Sequence, residues 1–385
     1  MRLLFVTQDF PPDIGGIQTY SWEVAHRLAD RTSSLHVVAP ARPESASLDA
    51  QSPFSVSRVS GRPDLLLLTA LPTVCRQARR RQPDVAFHAQ WQTVVTSVVA
   101  RAVTGWPRQI ACAAHGRELL FNPVDGLPGF SALYNRFRRW TLSHVDAALP
   151  VSRYTAAFLR ALGVPPNRVH VVPNGTDPDR FRPQPEARVR TRLGLDDRSV
   201  LLTVGRLVPR KGVDTVLHAL PHVAENVPDV TYLVVGTGPD RERLERLARR
   251  LRIRNRVHFL GEVPHDDLPD FYSAADLFVM PAREAPPDVE GFGLVFLEAN
   301  ACGTPVVGAR TGGIPDAIVE GKTGRLVPAG APTPLAEALT QLLTDPARLA
   351  ALGERGRRRT VQEASWDHVV DALFEALSAL SASPG

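Results

Sequence analysis

Twelve short β-branched runs, each giving way to a polar turn and then to helical periodicity, constrain this chain more than any other feature. The first six read RLLFVT, LHVVAP, DVAFHA, QIACAA, DAALPV and RVHVVP; the second six read SVLLTVG, VTYLVVG, RVHFLG, DLFVMP, TPVVGA and GRLVPA. Strands alternating with helices in this way predict parallel sheets built from βαβ units. Between the two sets, residues 173–198 read PNGTDPDRFRPQPEARVRTRLGLDDR, rich in proline and charge and poor in apolar residues, as a linker or long connection would be. The fold class expected is therefore α/β, with two Rossmann-like doubly wound domains in series, at 1–180 and 181–363. A length of 385 residues accommodates both. The tail 364–385 opens with an amphipathic helix over 364–380, whose stripe of Trp366, Val369, Val370, Leu373, Phe374 and Leu377 needs a surface to cover.

Several function classes drop out early. The opening MRLLFVTQDF passes into turn chemistry rather than a cleavage site, so it does not read as a signal peptide. The longest apolar stretch, LLLLTALPTV, is about half a membrane span and contains a proline. Cys75, Cys112 and Cys302 are scattered, with no C-x-x-C pair, which argues against a disulfide framework or a zinc site and for the reducing cytoplasm.

Charge is unevenly spread. The first 185 residues carry 21 Lys and Arg against 13 Asp and Glu, and the rest carry 24 against 27. The excess concentrates in RQARRRQ (76–82) and RFRRW (136–140), which read either as solvated helix faces or as a surface for anionic lipid or a phosphate-bearing substrate. No nucleic-acid module accompanies the charge, so nucleic acid is not an expected partner.

In open α/β sheets, ligands collect where strands end and helices begin, because helix N-termini direct unpaired N–H groups there. Gly15 and Gly16 follow the first strand; Gly205 and Gly212 bracket a loop holding Arg206 and Lys211; Gly236 and Gly238 repeat the pattern. Each is consistent with a backbone approach to an anion, but strand-glycine-helix turns are also common structural punctuation, so the signal lies in their recurrence. Lys211 stands out because the chain holds two lysines, Lys211 and Lys322, against 43 arginines. A compact point charge in PRKG fits a phosphate. His115, at the end of QIACAA and before Gly116, places an imidazole at the mouth of the first domain's crevice.

The stretch DVEGFGLVFLEA (288–299) sets Glu290 before a Gly291-Phe292-Gly293 turn and Glu298 on the helix that follows. Carboxylates do not ligate phosphate, but each can accept two hydrogen bonds from a vicinal diol. One glutamate holding a ribose and the other a sugar, with a diphosphate between, describes a nucleotide sugar. Two ordinary glutamates near a helix start are the alternative.

The GG after the first strand, HGRE at 115–118, GRLVPRKG at 205–212, EGFGLVFLE at 290–298 and ACGTPVVGARTGGIPDAIVEGKTGRLV together resemble the retaining, family-four glycosyltransferases of the GT-B fold over nearly the whole chain. The resemblance implies two domains facing across a cleft, with the final helix crossing back onto the N-terminal, acceptor-binding domain. It implies that Gly15, Gly16, Arg206 and Lys211 hold the donor diphosphate, that Glu298 binds the ribose, and that backbone near Glu262 and Val263 borders the base. Glu290, Gly291, Phe292 and Gly293 would grip the transferred sugar, with His115 touching it. His115, Arg206, Lys211 and Glu290 form the implied catalytic set. Transfer would proceed with retention, without cofactor or metal, and with the acceptor proton passing to the leaving phosphate.

The segment MPAREAPPDVEGFG is similar to that of phosphatidylinositol mannosyltransferases, with Arg283 and Asp288 flanking an insertion. That implies GDP-mannose as donor and a lipid-linked or anionic glycan as acceptor, with peripheral contact at the inner membrane face. UDP-sugars stay open as donors. A GT-B epimerase or phosphorylase and a non-catalytic sugar-binding protein are the rival readings.

Overall fold

The computed structural model describes residues 1–61, 66–127, 129–185 and 187–382. Leu65 of the apolar stretch and Glu186 of the proline-rich connection lie outside the described residues. The chain forms two compact units, one of 1–174 with 366–385 and the other of 175–365.

The first unit is a six-stranded parallel sheet: β1 (Arg2–Val6), β2 (Ser34–Pro40), β3 (Ser55–Val59), β4 (Val85–His88), β5 (Gln109–Ala114) and β6 (Ala147–Pro150) in the order β3-β2-β1-β4-β5-β6. Strand order reverses beside β1, so β1 and β4 part at their carboxyl ends and leave a crevice there. β1, β4 and β5 carry dense apolar runs because helices cover both faces; β4 and β5 are buried at every position.

Two expectations change at the edges. RVHVVP forms no strand: Val169 makes a single bridge to Ala148, the His170 and Val172 N–H groups donate to the Ala148 and Pro150 carbonyls, and prolines at 165, 166 and 173 bound the segment. The sixth strand is instead SVSRV, whose alternating polar residues suit a half-exposed edge and escape a search for apolar runs.

The final helix, Trp366–Ala382, buries Trp366, Val369, Val370, Leu373 and Leu377, while Phe374 is only half-buried. It packs within the first unit on the helix Gly16–Arg31, with Tyr20 edge-on to Trp366 at 6.0 Å and Arg31 donating to Asp371 at 2.7 Å. Each such apolar side chain contributes about 1.5–3 kcal/mol on leaving water.

The second unit repeats the architecture with β7 (Val200–Val204), β8 (Thr231–Val235), β9 (Val257–Gly261), β10 (Leu277–Met280), β11 (Val306–Ala309) and β12 (Gly324–Val327) in the order β12-β11-β10-β7-β8-β9, all parallel. All six fall on the expected runs. The proline-rich connection is packed rather than free: Phe181 lies against Tyr272 and His265, and the helix Ala187–Leu193 rests on the helix Leu268–Ala274. Among the described residues no helix is long and apolar enough to cross a membrane.

Candidate active site

In the second unit the segments that follow β7, β8, β9 and β10 converge at the carboxyl edge of the sheet. After β7 the chain makes a single 3-10 turn, Pro209–Lys211, and Gly212 takes φ 73° before the helix Val213–Asn226 begins. A Cβ at 212 would stand 2.1 Å from the Pro281 carbonyl oxygen, so glycine alone lets this turn lie against the end of β10. Arg283 N–H then donates to the Arg210 carbonyl at 2.8 Å, and the Arg283 side chain is held by Asp214 at 2.7 Å. Asp214 also accepts from Arg243, so one carboxylate ties the loop after β10 to two helices.

That loop delivers Glu290. Lys211 Nζ donates to Glu290 Oε2 at 2.6 Å, and Arg210 donates to the same oxygen. Burial opposes the Glu290 charge, but the ammonium and guanidinium together outweigh it and hold the carboxyl down to about 2. For Lys211 burial is the larger influence and lowers the ammonium below its ordinary range, partly offset by Glu290. The backbone of Glu290 is fixed from behind: Gly313 N–H donates to its carbonyl at 2.9 Å, and Gly312, at φ 56°, approaches so closely that a Cβ would lie 2.3 Å from that oxygen.

Gly293 precedes the helix Leu294–Ala301, with Phe292 buried beside it and Gly291 part-exposed. Glu298, on that helix, is buried, and burial raises its carboxyl. Tyr272 OH donates to its Oε2 at 2.7 Å, leaving Oε1 outside that bond. Arg206 is exposed and makes no side-chain hydrogen bond or ion pair among the described residues; Glu262 and Val263 follow β9. Arg206, Lys211, Glu290 and Glu298 thus belong to one unit. Lys211 and Glu290 touch directly, and Glu298 lies near enough for its charge to act on the Lys211 ammonium.

In the first unit a cavity of about 590 Å³ opens where β1, β2, β4 and β5 end, lined among others by Asp9, Arg42, Gln90, Arg117 and Glu118. Gly15 is extended and Gly16 opens the helix Gly16–Arg31. His115 lies edge-on to Tyr20, and its Nε2 stands 3.0 Å from the Ala89 carbonyl. A carbonyl only accepts, so Nε2 carries the proton; burial drives the pKa down to about 4, keeping the ring neutral with Nδ1 as an acceptor. Asp9 accepts from Gln18 at 2.7 Å and from Gln90 at 2.6 Å, and burial raises its carboxyl. Glu118 Oε1 accepts the His115 and Gly116 N–H groups, while its buried Oε2 and the buried Gln90 Oε1 have no hydrogen-bond partner among the described residues.

Residues 186–359 match the family "Glycosyl transferases group 1" and residues 14–180 match "Glycosyltransferase Family 4". A GDP-mannose-dependent alpha-(1-6)-phosphatidylinositol monomannoside mannosyltransferase of Mycolicibacterium smegmatis is 38% identical over 98% of both chains. The chain belongs to glycosyltransferase family 4. A monoacylated-substrate relative from Corynebacterium glutamicum, also named as GDP-mannose-dependent, is 32% identical over 98% of this chain and 97% of its own. The solved structure of Anabaena HepE in complex with UDP shares the fold at TM-score 0.82 and 24% identity, covering 98% of this chain and all of that one.

The candidate site of this glycosyltransferase includes residues that pattern reading passed over. Arg210 stands beside Lys211 in PRKG, and an arginine there is one of 43, with nothing local to single it out. Tyr272 sits 26 residues from Glu298, a separation only the fold closes. Glu118 is visible as the last residue of HGRE, but its unpartnered oxygen is a tertiary fact.

Proposed function

We propose that the protein transfers mannose from GDP-mannose to a hydroxyl of a lipid-linked mannoside of the phosphatidylinositol class, with retention and without metal. The observation that carries this reading is the near-full-length likeness to a mannosyltransferase whose name states that donor and acceptor. The Lys211–Glu290–Arg210 cluster supports it chemically. Arg206, Arg210, Lys211 and Glu290 carry a net charge of two positive units, matched to the two negative charges of a nucleotide-sugar diphosphate.

Binding works by exchange. The diphosphate takes Lys211 and Arg210 from Glu290, and the released carboxylate accepts hydroxyls of the mannose, helped by the amides near Gly291, Phe292 and Gly293. Glu298 uses Oε1 for the ribose, and the backbone near Val263 borders the base. As the glycosidic bond breaks, charge grows on the diphosphate, where the cations are already in place and need no reorganisation. On the first unit, Gly15 and Gly16 serve the diphosphate, and neutral His115 accepts a sugar hydroxyl at Nδ1. The acceptor's proton passes to the leaving phosphate.

The cavity of the first unit suits the polar head of the acceptor: Asp9, Gln90, Arg117 and Glu118 line it with groups able to hydrogen-bond polyol hydroxyls. Beside it, Leu127, Phe130, Leu133 and Trp140 are exposed with Arg136 and Arg139, the composition of a surface that rests on an anionic membrane at its inner face.

Incubation with a donor panel tests the reading. Acceptor-stimulated release of GDP from GDP-mannose, with an α-configured product and full activity in chelator, is expected. Release from UDP-sugars alone, or hydrolysis indifferent to acceptor, would overturn it.

A further inference from the structure

Away from the Lys211–Glu290 cluster, the second unit carries a separate pocket of about 240 Å³ lined by Lys322, Arg355, Arg358, Arg359 and, as its one carboxylate, Glu363. We infer that this pocket is an accessory binding site for a phosphate-bearing anion. The proposal does not rest on the donor or acceptor assigned above.

Lys322 lies in the turn before β12, and the arginines lie on the helix Pro346–Glu363. The helix is anchored to that turn through a backbone contact: Arg355 Nε donates to the Lys322 carbonyl at 2.9 Å. This uses one nitrogen and leaves the two terminal nitrogens of Arg355 outside the bond. The Lys322 ammonium makes no hydrogen bond or ion pair among the described residues. It is one of only two lysines in the chain, and the other is committed to Glu290.

Arg359 is different. Its guanidinium donates to the Ala317 carbonyl at 2.7 Å and the Asp316 carbonyl at 3.2 Å, so it forms a fixed, part-buried cationic wall. Arg358 pairs with Glu354 along the helix, at 2.5 Å, and both are exposed. Such an i,i+4 surface pair is weak and yields to a stronger anion. Four cations thus share one lining carboxylate, Glu363, which lies 3.9 Å from Arg359 Nε. An anion with several acceptor oxygens relieves their mutual repulsion and matches the guanidinium forks. Phosphate meets that need either as a free diphosphate-type ion or as the head group of an acidic phospholipid.

The two lysines supply a direct readout. Full-length protein is treated with a limiting amine-reactive ester, and modification of Lys322 and Lys211 is followed separately by peptide mass spectrometry. Probes are inorganic pyrophosphate, vesicles of phosphatidylcholine with phosphatidylinositol, and vesicles of phosphatidylcholine alone. Lys322 labelling should slow about threefold when the site is two-thirds occupied, by mass action. Protection should disappear in R355A/R358A, with Lys211 reactivity unchanged by those substitutions. Protection by pyrophosphate assigns a soluble anion; protection by the acidic vesicles alone assigns a lipid head group. Equal labelling of Lys322 with and without every probe, or protection that survives R355A/R358A, overturns the proposal. Lys211 reports the donor cluster independently, so failure of that reading would be seen at a different peptide.

Discussion

Lys211 Nζ lies 2.6 Å from Glu290 Oε2, with both side chains close to nine-tenths buried. The pair is made between a turn after β7 and a loop after β10; Gly212 lets that turn lie against Pro281, and Gly312, after β11, lets a third segment back onto the Glu290 carbonyl. Its members have separable roles. Lys211→Ala should lower kcat by about a hundredfold to a thousandfold, the usual loss when a charge-stabilising donor is removed. Arg210 continues to neutralise Glu290, so the melting transition should move little. An alanine variant retaining near-normal turnover would remove Lys211 from the chemistry.

Glu298 offers a gentler probe. Tyr272→Phe keeps the ring and deletes the donor to Glu298 Oε2, which lets burial raise that carboxyl further. Losing one hydrogen bond of about 1 kcal/mol weakens donor binding about fivefold. The loss should grow as pH falls, since the protonated acid presents fewer acceptors. Titration calorimetry with the donor at several pH values measures this; a pH-independent affinity equal to that of the parent would contradict it.

Gly312→Ala tests the backbone beneath Glu290. The φ of 56° disfavours any Cβ, and here that atom would meet the Glu290 carbonyl at 2.3 Å. A cost of about 1–3 kcal/mol is expected from strain of this kind. Activity should fall with stability, because relief of the clash moves Glu290. Chemical denaturation with parallel assays reads both, and a variant indistinguishable from the parent in each would refute the proposed role of this contact.

Stability should decline in acid. Burial depresses His115 from 6.5 to about 4, and His36 and His88 to about 3. The unfolded chain therefore binds more protons than the folded one below 6.5, so the stability these rings contribute is complete above 6.5 and drains away as pH falls towards 4 and 3. Glu290, held at about 2 against an ordinary 4.5, has the same sign: its contribution is full above 4.5 and is lost towards 2. Melting midpoints from pH 8 to 4 should fall from about 6.5 downward. His88→Gln, replacing a ring bound to Thr93 and Ser97, should flatten the slope. A midpoint constant across that range would exclude the account.

Membrane contact has its own test. Arg136→Ser with Arg139→Ser should weaken sedimentation with acidic vesicles about tenfold or more, since each basic residue near the surface contributes independently. Turnover of a water-soluble acceptor should be unchanged. Unaltered vesicle binding would place the membrane contact elsewhere.

The strands of the second unit could be read directly because β7, β8, β10 and β11 are buried at every position, and burial on both faces gives a dense apolar run. The edge strand β3 could not, since one solvated face removes the signal, and RVHVVP carried the signal but pairs with β6 too briefly to form a strand. Glycine spacing and Lys211 in PRKG could be read as a candidate anion site, because those features depend on local backbone freedom and on charge. The sequence by itself determined the alternation of elements, the glycine-bearing turns that follow the strands and the pair of glutamates. Only the tertiary structure decided that Glu290 rests on Arg210 as well as Lys211, that Tyr272 serves Glu298, and that Glu118 keeps an unpartnered oxygen. Those facts depend on separations of 79, 80 and 26 residues closed by sheet packing and on what burial withholds from water, and neither is written in any local stretch of chain.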